Sequence, residues 1–128
     1  MTKIKLIVEK NKDGYWGSID KYPSIFSSGD SIEELVENTQ EAVEIYFESI
    51  SKPIVNLKIE LVMDIQQFFE VNAFINITSL AGRIGMNPSL LRQYSKGIKF
   101  PGLDQVRKIE NAIKQIGKEL VNTELQPA

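Results

Sequence analysis

The chain of 128 residues contains neither cysteine nor histidine. Without thiols there can be no disulfide, no thiolate nucleophile and no cysteine-ligated zinc. Without imidazole, the commonest metal ligand and the commonest general base are also missing, and Ser-His-Asp triads are excluded. No apolar run approaches the roughly 20 residues needed to span a bilayer. The opening Met-Thr-Lys-Ile-Lys-Leu-Ile-Val-Glu has an apolar stretch too short and too soon interrupted for a secretory signal. The Asn76-Ile77-Thr78 sequon is therefore expected to be a chance match, and the protein to be cytoplasmic. Enzyme chemistry is left with carboxylates, lysines and hydroxyls, and no cofactor is implied.

Acid is also missing, but only locally. The whole chain carries 17 acidic and 15 basic residues, a net charge of −2. Met1 to Glu60 holds 7 basic and 11 acidic side chains, a net −4, whereas Leu61 to Ala128 holds 8 and 6, a net +2. Within the second part, Val71 to Leu103 has no acid at all but includes Arg83, Arg92, Lys96 and Lys99. An even spread would put about four acids there. An acidic half and a locally basic half suggest two domains, 1–62 and 63–128, with different partners.

The first half alternates in period two. Ile4, Leu6 and Val8 share one face and Lys3, Lys5 and Glu9 the other, as in a half-buried strand. Asn11-Lys12-Asp13-Gly14 supplies a turn, Tyr15 to Ile19 a second strand, and Ile25 to Ser28 a third after the Tyr22-Pro23-Ser24 break. Ser31, with Glu34 three residues on, predicts a reciprocal capping box at the start of a helix. Residues 32, 35, 36, 39, 42, 43, 46, 47 and 50 form its buried stripe, and Lys52-Pro53 is expected to end it. Leu57, Ile59, Leu61 and Met63 alternate as a fourth strand. The order is β-β-β-α-β, one helix covering one sheet face. Tyr15 and Trp16 point to opposite faces. Both are expected in the core, with Trp16 under a loop; the alternative role for one of the pair is to anchor a partner.

The run Gly14 to Glu44 resembles the HicB-type antitoxin domain, a partial ribonuclease H-like fold. Gly29-Asp30-Ser31 and Glu33, Glu34, Asn38, Glu41 and Ala42 carry the resemblance, while Ser24, Ile25 and Leu35 depart from it. It implies a non-catalytic domain that binds and masks a small basic toxin of the HicA type. Glu33, Glu37, Glu41 and Glu44 would attract such a partner, and Trp16 is a candidate anchor. Ribonuclease H chemistry itself needs several carboxylates converging on two metal ions. Glu9, Asp20 and Glu60 are the only acids near strands, and Asp13 and Asp30 sit in turns, so all five are expected to be solvated surface or turn acids. No metal site is expected.

The second half is helical throughout. Asp64 to Val71 suits a short helix; Asn76 can cap a second, Ile77 to Ile84, ended by Gly85; Asn87-Pro88 starts a third, ended by Gly97. A long last helix follows Pro101-Gly102, with Leu103, Val106, Ile109, Ile113, Ile116 and Leu120 at apolar spacing. Leu80-Ala81, Ile84-Gly85, Asn87-x-Ser89 and Gly97-x-Lys99-x-Pro101 resemble the Cro/C1-like phage repressor domain, an all-α helix-turn-helix fold. Ser95 and Pro88 depart from that pattern. The resemblance implies that Asn87, Ser89, Arg92 and Gln93 face the major groove, Arg92 suited to guanine and Gln93 to adenine. Thr78, Lys96 and Lys99 would hold phosphates.

The two halves together point to an α+β antitoxin-like transcription regulator. It would bind double-stranded DNA through one half and a HicA-type toxin through the other. One recognition helix reads only a few base pairs, so a homodimer or higher oligomer is expected, its interface supplied by Leu103 to Leu120 or by a sheet edge. The rivals are an orphan regulator without a toxin, a metal-dependent nuclease using Glu9, Asp20 and Glu60, and a module that only docks protein.

Overall fold

Side chains alternate along the first strand, β1 (Lys3–Asn11), as the sequence requires: Ile4, Leu6 and Val8 are at most 2% exposed while Lys3, Lys5 and Glu9 face water. The computed structural model describes residues 1–128, which divide into two compact units, Met1–Asp64 and Ile65–Ala128. The molecule is of mixed α+β type, with one four-stranded sheet and five helices. No helix is long and apolar enough to cross a membrane.

In the first unit, β2 (Gly14–Ser18) and β3 (Phe26–Gly29) continue antiparallel from β1, and β4 (Lys58–Val62) returns on the other side, parallel to it. The strand order is β3-β2-β1-β4. A parallel neighbour needs a crossover, and α1 (Ile32–Ser49) lies on that path. Its Leu35, Val43 and Phe47 are buried against Ile4, Leu6 and Val8, with Ile19 and Ile25 completing the cluster. Each such aliphatic side chain contributes about 1.5–3 kcal/mol by leaving water. Thr39 is fully buried but satisfied: its hydroxyl donates to the Leu35 carbonyl at 2.7 Å and lies 2.6 Å from Ser27 Oγ. Gly29 lets the helix start close to β3, because a Cβ there would stand 2.6 Å from the Leu35 backbone nitrogen.

Several expectations change here. The helix stops at Ile50, with Ser51 in the left-handed region (φ 55°), before Lys52-Pro53 is reached. Ile50 is consequently 43% exposed rather than part of the buried stripe. Ser31 caps as foreseen, accepting from the Glu34 backbone at 3.1 Å, but the Glu34 carboxylate stays in water and the reciprocal bond is not made. Trp16 is not in the core. It sits opposite Glu9 on the sheet face away from α1 and is 46% exposed, while Tyr15 packs inward.

The second unit strings together α2 (Ile65–Val71), α3 (Ile77–Ile84), α4 (Pro88–Ser95) and α5 (Leu103–Val121). Asn76 Oδ1 caps α3 by accepting from Ser79 N at 2.9 Å. Gly85 closes it at φ 80°, a conformation costly for any side chain with a Cβ, and returns its N–H to the Ala81 carbonyl. Phe69, Leu80, Ala81, Leu91, Tyr94 and Ile109 form the core. On α5 only Ile109 is fully buried; Leu103 and Leu120, expected in the same stripe, are 69% and 67% exposed.

Candidate functional site

Two eight-residue helices, α3 and α4, meet through Gly85-Met86-Asn87. Leu91 and Tyr94 turn α4 inward, so Ser89, Arg92, Gln93 and Lys96, at i, i+3, i+4 and i+7, share its opposite side. Ser89, Arg92 and Lys96 are exposed and Gln93 is half-buried. Lys96 caps the C-terminus of α4, and Lys99 follows in the exposed segment beyond it. Gln93 helps hold that segment, its backbone carbonyl accepting from Ile98 N at 2.9 Å and Lys99 N at 3.4 Å.

Thr78, near the N-terminus of α3, is exposed and brought to α4 by contact: Arg92 Nη2 donates to Thr78 Oγ1 at 3.3 Å. Such a long, exposed bond is readily exchanged for a stronger anionic acceptor. Asn87 plays a part that the resemblance did not assign. Its Oδ1 is taken by capping, accepting from Ser89 N at 2.8 Å and Leu90 N at 3.4 Å, so only its amide Nδ2 remains for a partner.

The electrostatics separate cations that look alike in the sequence. Arg83 lies 2.6 Å from Glu119 on α5 and is neutralised within the fold. Arg92, Lys96 and Lys99 have no ion-pair partner. The result is an exposed side of α4 carrying Arg92 and Lys96 uncompensated, with uncompensated Lys99 in the exposed segment just beyond it and the acid-free α3 beside it through Thr78.

The first unit offers a different surface. Glu33, Glu37, Glu41 and Glu44 are all exposed and run along one side of α1. The structure does not bring Trp16 to them, because α1 covers the Ile4-Leu6-Val8 face and Trp16 projects from the other. Glu9, Asp20 and Glu60 do not form a metal cluster: no three acids lie close enough together to hold an ion, and Glu60 pairs instead with Lys3 at 3.8 Å.

One feature of that outer face escaped the sequence reading. In register, Phe26, Ser18, Ile7 and Val62 form a single row across all four strands, with Phe26 69% and Val62 41% exposed. The signal was Ile7, an apolar residue among outward Lys3, Lys5 and Glu9.

A family model described as HicB_like antitoxin of bacterial toxin-antitoxin system matches residues 4–119, a span that takes in parts of both units. No curated protein matches the chain.

Proposed function

The chain belongs to the HicB_like antitoxin family of bacterial toxin-antitoxin systems, and on that premise we propose a non-enzymatic, cytoplasmic antitoxin that also regulates transcription. In this reading α3 and α4 are a helix-turn-helix of Cro/C1 type, and α4 enters the major groove of operator DNA. Arg92 and Gln93 read base edges; Thr78, Lys96 and Lys99 hold phosphates. Asn87 and Ser89 start the recognition helix at the groove. The observation that carries the reading is the uncompensated charge of Arg92 and Lys96 on the exposed side of α4, continued by exposed Lys99 just beyond the helix. A solvated helix with no polyanionic partner ordinarily mixes both signs.

The glutamate side of α1 is proposed as the landing surface for a small basic toxin of HicA type. Its charge would act mainly by speeding encounter. A single recognition helix contacts few base pairs, so the regulator would act as a dimer on half-sites about 34 Å apart. Fluorescence anisotropy on the DNA upstream of its own gene tests the reading. Affinity should fall steeply between about 50 and 200 mM salt, as released counterions require. Binding that ignores salt, or fails to prefer this DNA over scrambled duplex, rejects it.

A further inference from the structure

Building on the helix-turn-helix reading, we propose that Phe100, supported by Ile98, makes a second, apolar contact with DNA. It packs against the sugars that line the minor groove, next to the major-groove segment read by α4. The stretch between α4 and α5 leaves apolar surface in water: Phe100 is 85% exposed, and Ile98 and Leu103 are exposed with it. The stretch is nevertheless tied down. Gly97 N donates to the Tyr94 carbonyl at 3.2 Å, and Ile98 N and Lys99 N both donate to the Gln93 carbonyl. Pro101 restrains the backbone of Phe100 in turn, because its ring clashes with a helical predecessor. The phenyl ring is thus mounted on the end of the recognition helix without serving the core beneath it. Clustered apolar surface of this kind marks a contact.

Charge selects the occupant. Ile98 lies between Lys96 and Lys99, and Phe100 follows Lys99; neither lysine has an ion-pair partner. No acid occurs from Val71 to Leu103, so a basic protein is repelled here and a polyanion drawn in. The first acid beyond is Asp104, exposed in the opening turn of α5, which limits the polyanion-facing stretch to the residues before it. With α4 in the major groove, the chain beyond Lys96 crosses a phosphate ridge, and the groove on the far side of that ridge is the minor one. Lys99 holds the ridge, and Phe100, one residue further on, reaches the mouth of a groove that proteins enter with Phe, Leu and Ile side chains.

Fluorescence anisotropy of the full chain on operator duplex, run as a salt series, tests the contact. Apolar packing releases no counterions, so Phe100→Ala should lower affinity about tenfold at every salt concentration and leave the slope unchanged. Phe100→Leu should stay within about threefold of wild type. Replacing flanking guanines by inosine removes only the amino group that guanine projects into the minor groove and leaves the major-groove edge intact. Wild type should bind the inosine duplex about threefold more tightly, and Phe100→Ala should show no such preference. Phe100 is exposed, so both variants should melt with the wild type by circular dichroism. A Phe100→Ala chain that binds like wild type, changes the salt slope or keeps the inosine preference overturns the proposal, as does a wild type indifferent to inosine. So does a Phe100→Ala chain that binds DNA normally but no longer floats with vesicles of anionic lipid, which would give the stretch to a membrane surface. The contact and the reading beneath it fail apart. If wild type binds operator and Lys99→Ala flattens the slope while Phe100→Ala changes nothing, only the minor-groove contact is lost. If wild type binds no duplex, the helix-turn-helix reading fails and takes the contact with it.

Discussion

Helices α1 and α4 are both amphipathic, but each leaves one end of its dipole without complementary charge. In α1, Glu33 and Glu34 suit the positive end of the dipole, yet Glu44 and Glu48 run toward the negative end and the last turn has no base. In α4 the first turn has no acid, although one there would contribute about 0.3–1 kcal/mol, and α3 repeats the omission. One unit keeps negative charge where its helix gains nothing from it; the other excludes negative charge where its helices would benefit. The proposed partners, a basic toxin in the first case and a polyanion in the second, would account for both choices. The molecule is thus two surfaces of opposite sign, each on its own core.

The severest way to break this division is to remove one core. Leu91 is completely buried beneath the α4 stripe, and Leu91→Ala should cost about 2–5 kcal/mol. Trp16, the sole tryptophan, reports on the first unit, while most helical dichroism outside α1 comes from the second. Denaturant unfolding should show the dichroism midpoint falling and the Trp16 midpoint holding, with DNA binding lost and toxin binding kept. A joint shift of both signals makes the units one cooperative block, and the division fails.

Next in size is Arg92→Ala, which should relax preference at one base pair by about 1–3 kcal/mol. The Arg92–Thr78 contact adds a sharper test. If Arg92 stays beside Thr78 on DNA, it serves the phosphate at the start of α3, and the variant weakens all sequences alike. Competition against single-base operator variants separates the two outcomes.

How much of this was legible in the sequence depends on how local its cause is. The limits of α3 match the expected Ile77 to Ile84 because Asn76 and Gly85 act on their own neighbours. The same holds for Asn87-Pro88 at the start of α4. Periodicity tells which side of a helix faces a partner but not how far the partner extends, so Leu103 and Leu120 had the right spacing and are nevertheless exposed at the two ends of α5. Whether the second face of a sheet is covered is still less local, and the row through Ile7 went unread for that reason. At the site, the shared side of Ser89, Arg92, Gln93 and Lys96 followed from helical spacing. The contact of Arg92 with Thr78 and the pairing of Arg83 with a residue 36 positions away needed coordinates.

On the acidic side, Glu37→Lys combined with Glu41→Lys should slow association with the toxin about tenfold at low salt and leave dissociation nearly unchanged. Stopped-flow mixing over a salt series measures both. If dissociation accelerates instead, these residues sit inside a desolvated interface and do more than steer.

The smallest expected effect isolates the cationic face most sharply. Arg83 shares its acid-free stretch of sequence with Arg92, Lys96 and Lys99, so on composition alone its removal should matter as much as theirs. In the fold its guanidinium already has Glu119, in a pair about half exposed on both sides, worth at most about 1 kcal/mol to stability. Lys99→Ala should therefore flatten the salt dependence of DNA binding by about one unit, the share of a single phosphate contact. Arg83→Ala should leave that slope unchanged and shift the melting temperature only slightly. Equal slopes for the two variants would mean that charge in the window acts as a whole, and that the face built by α4 has no special claim to the groove.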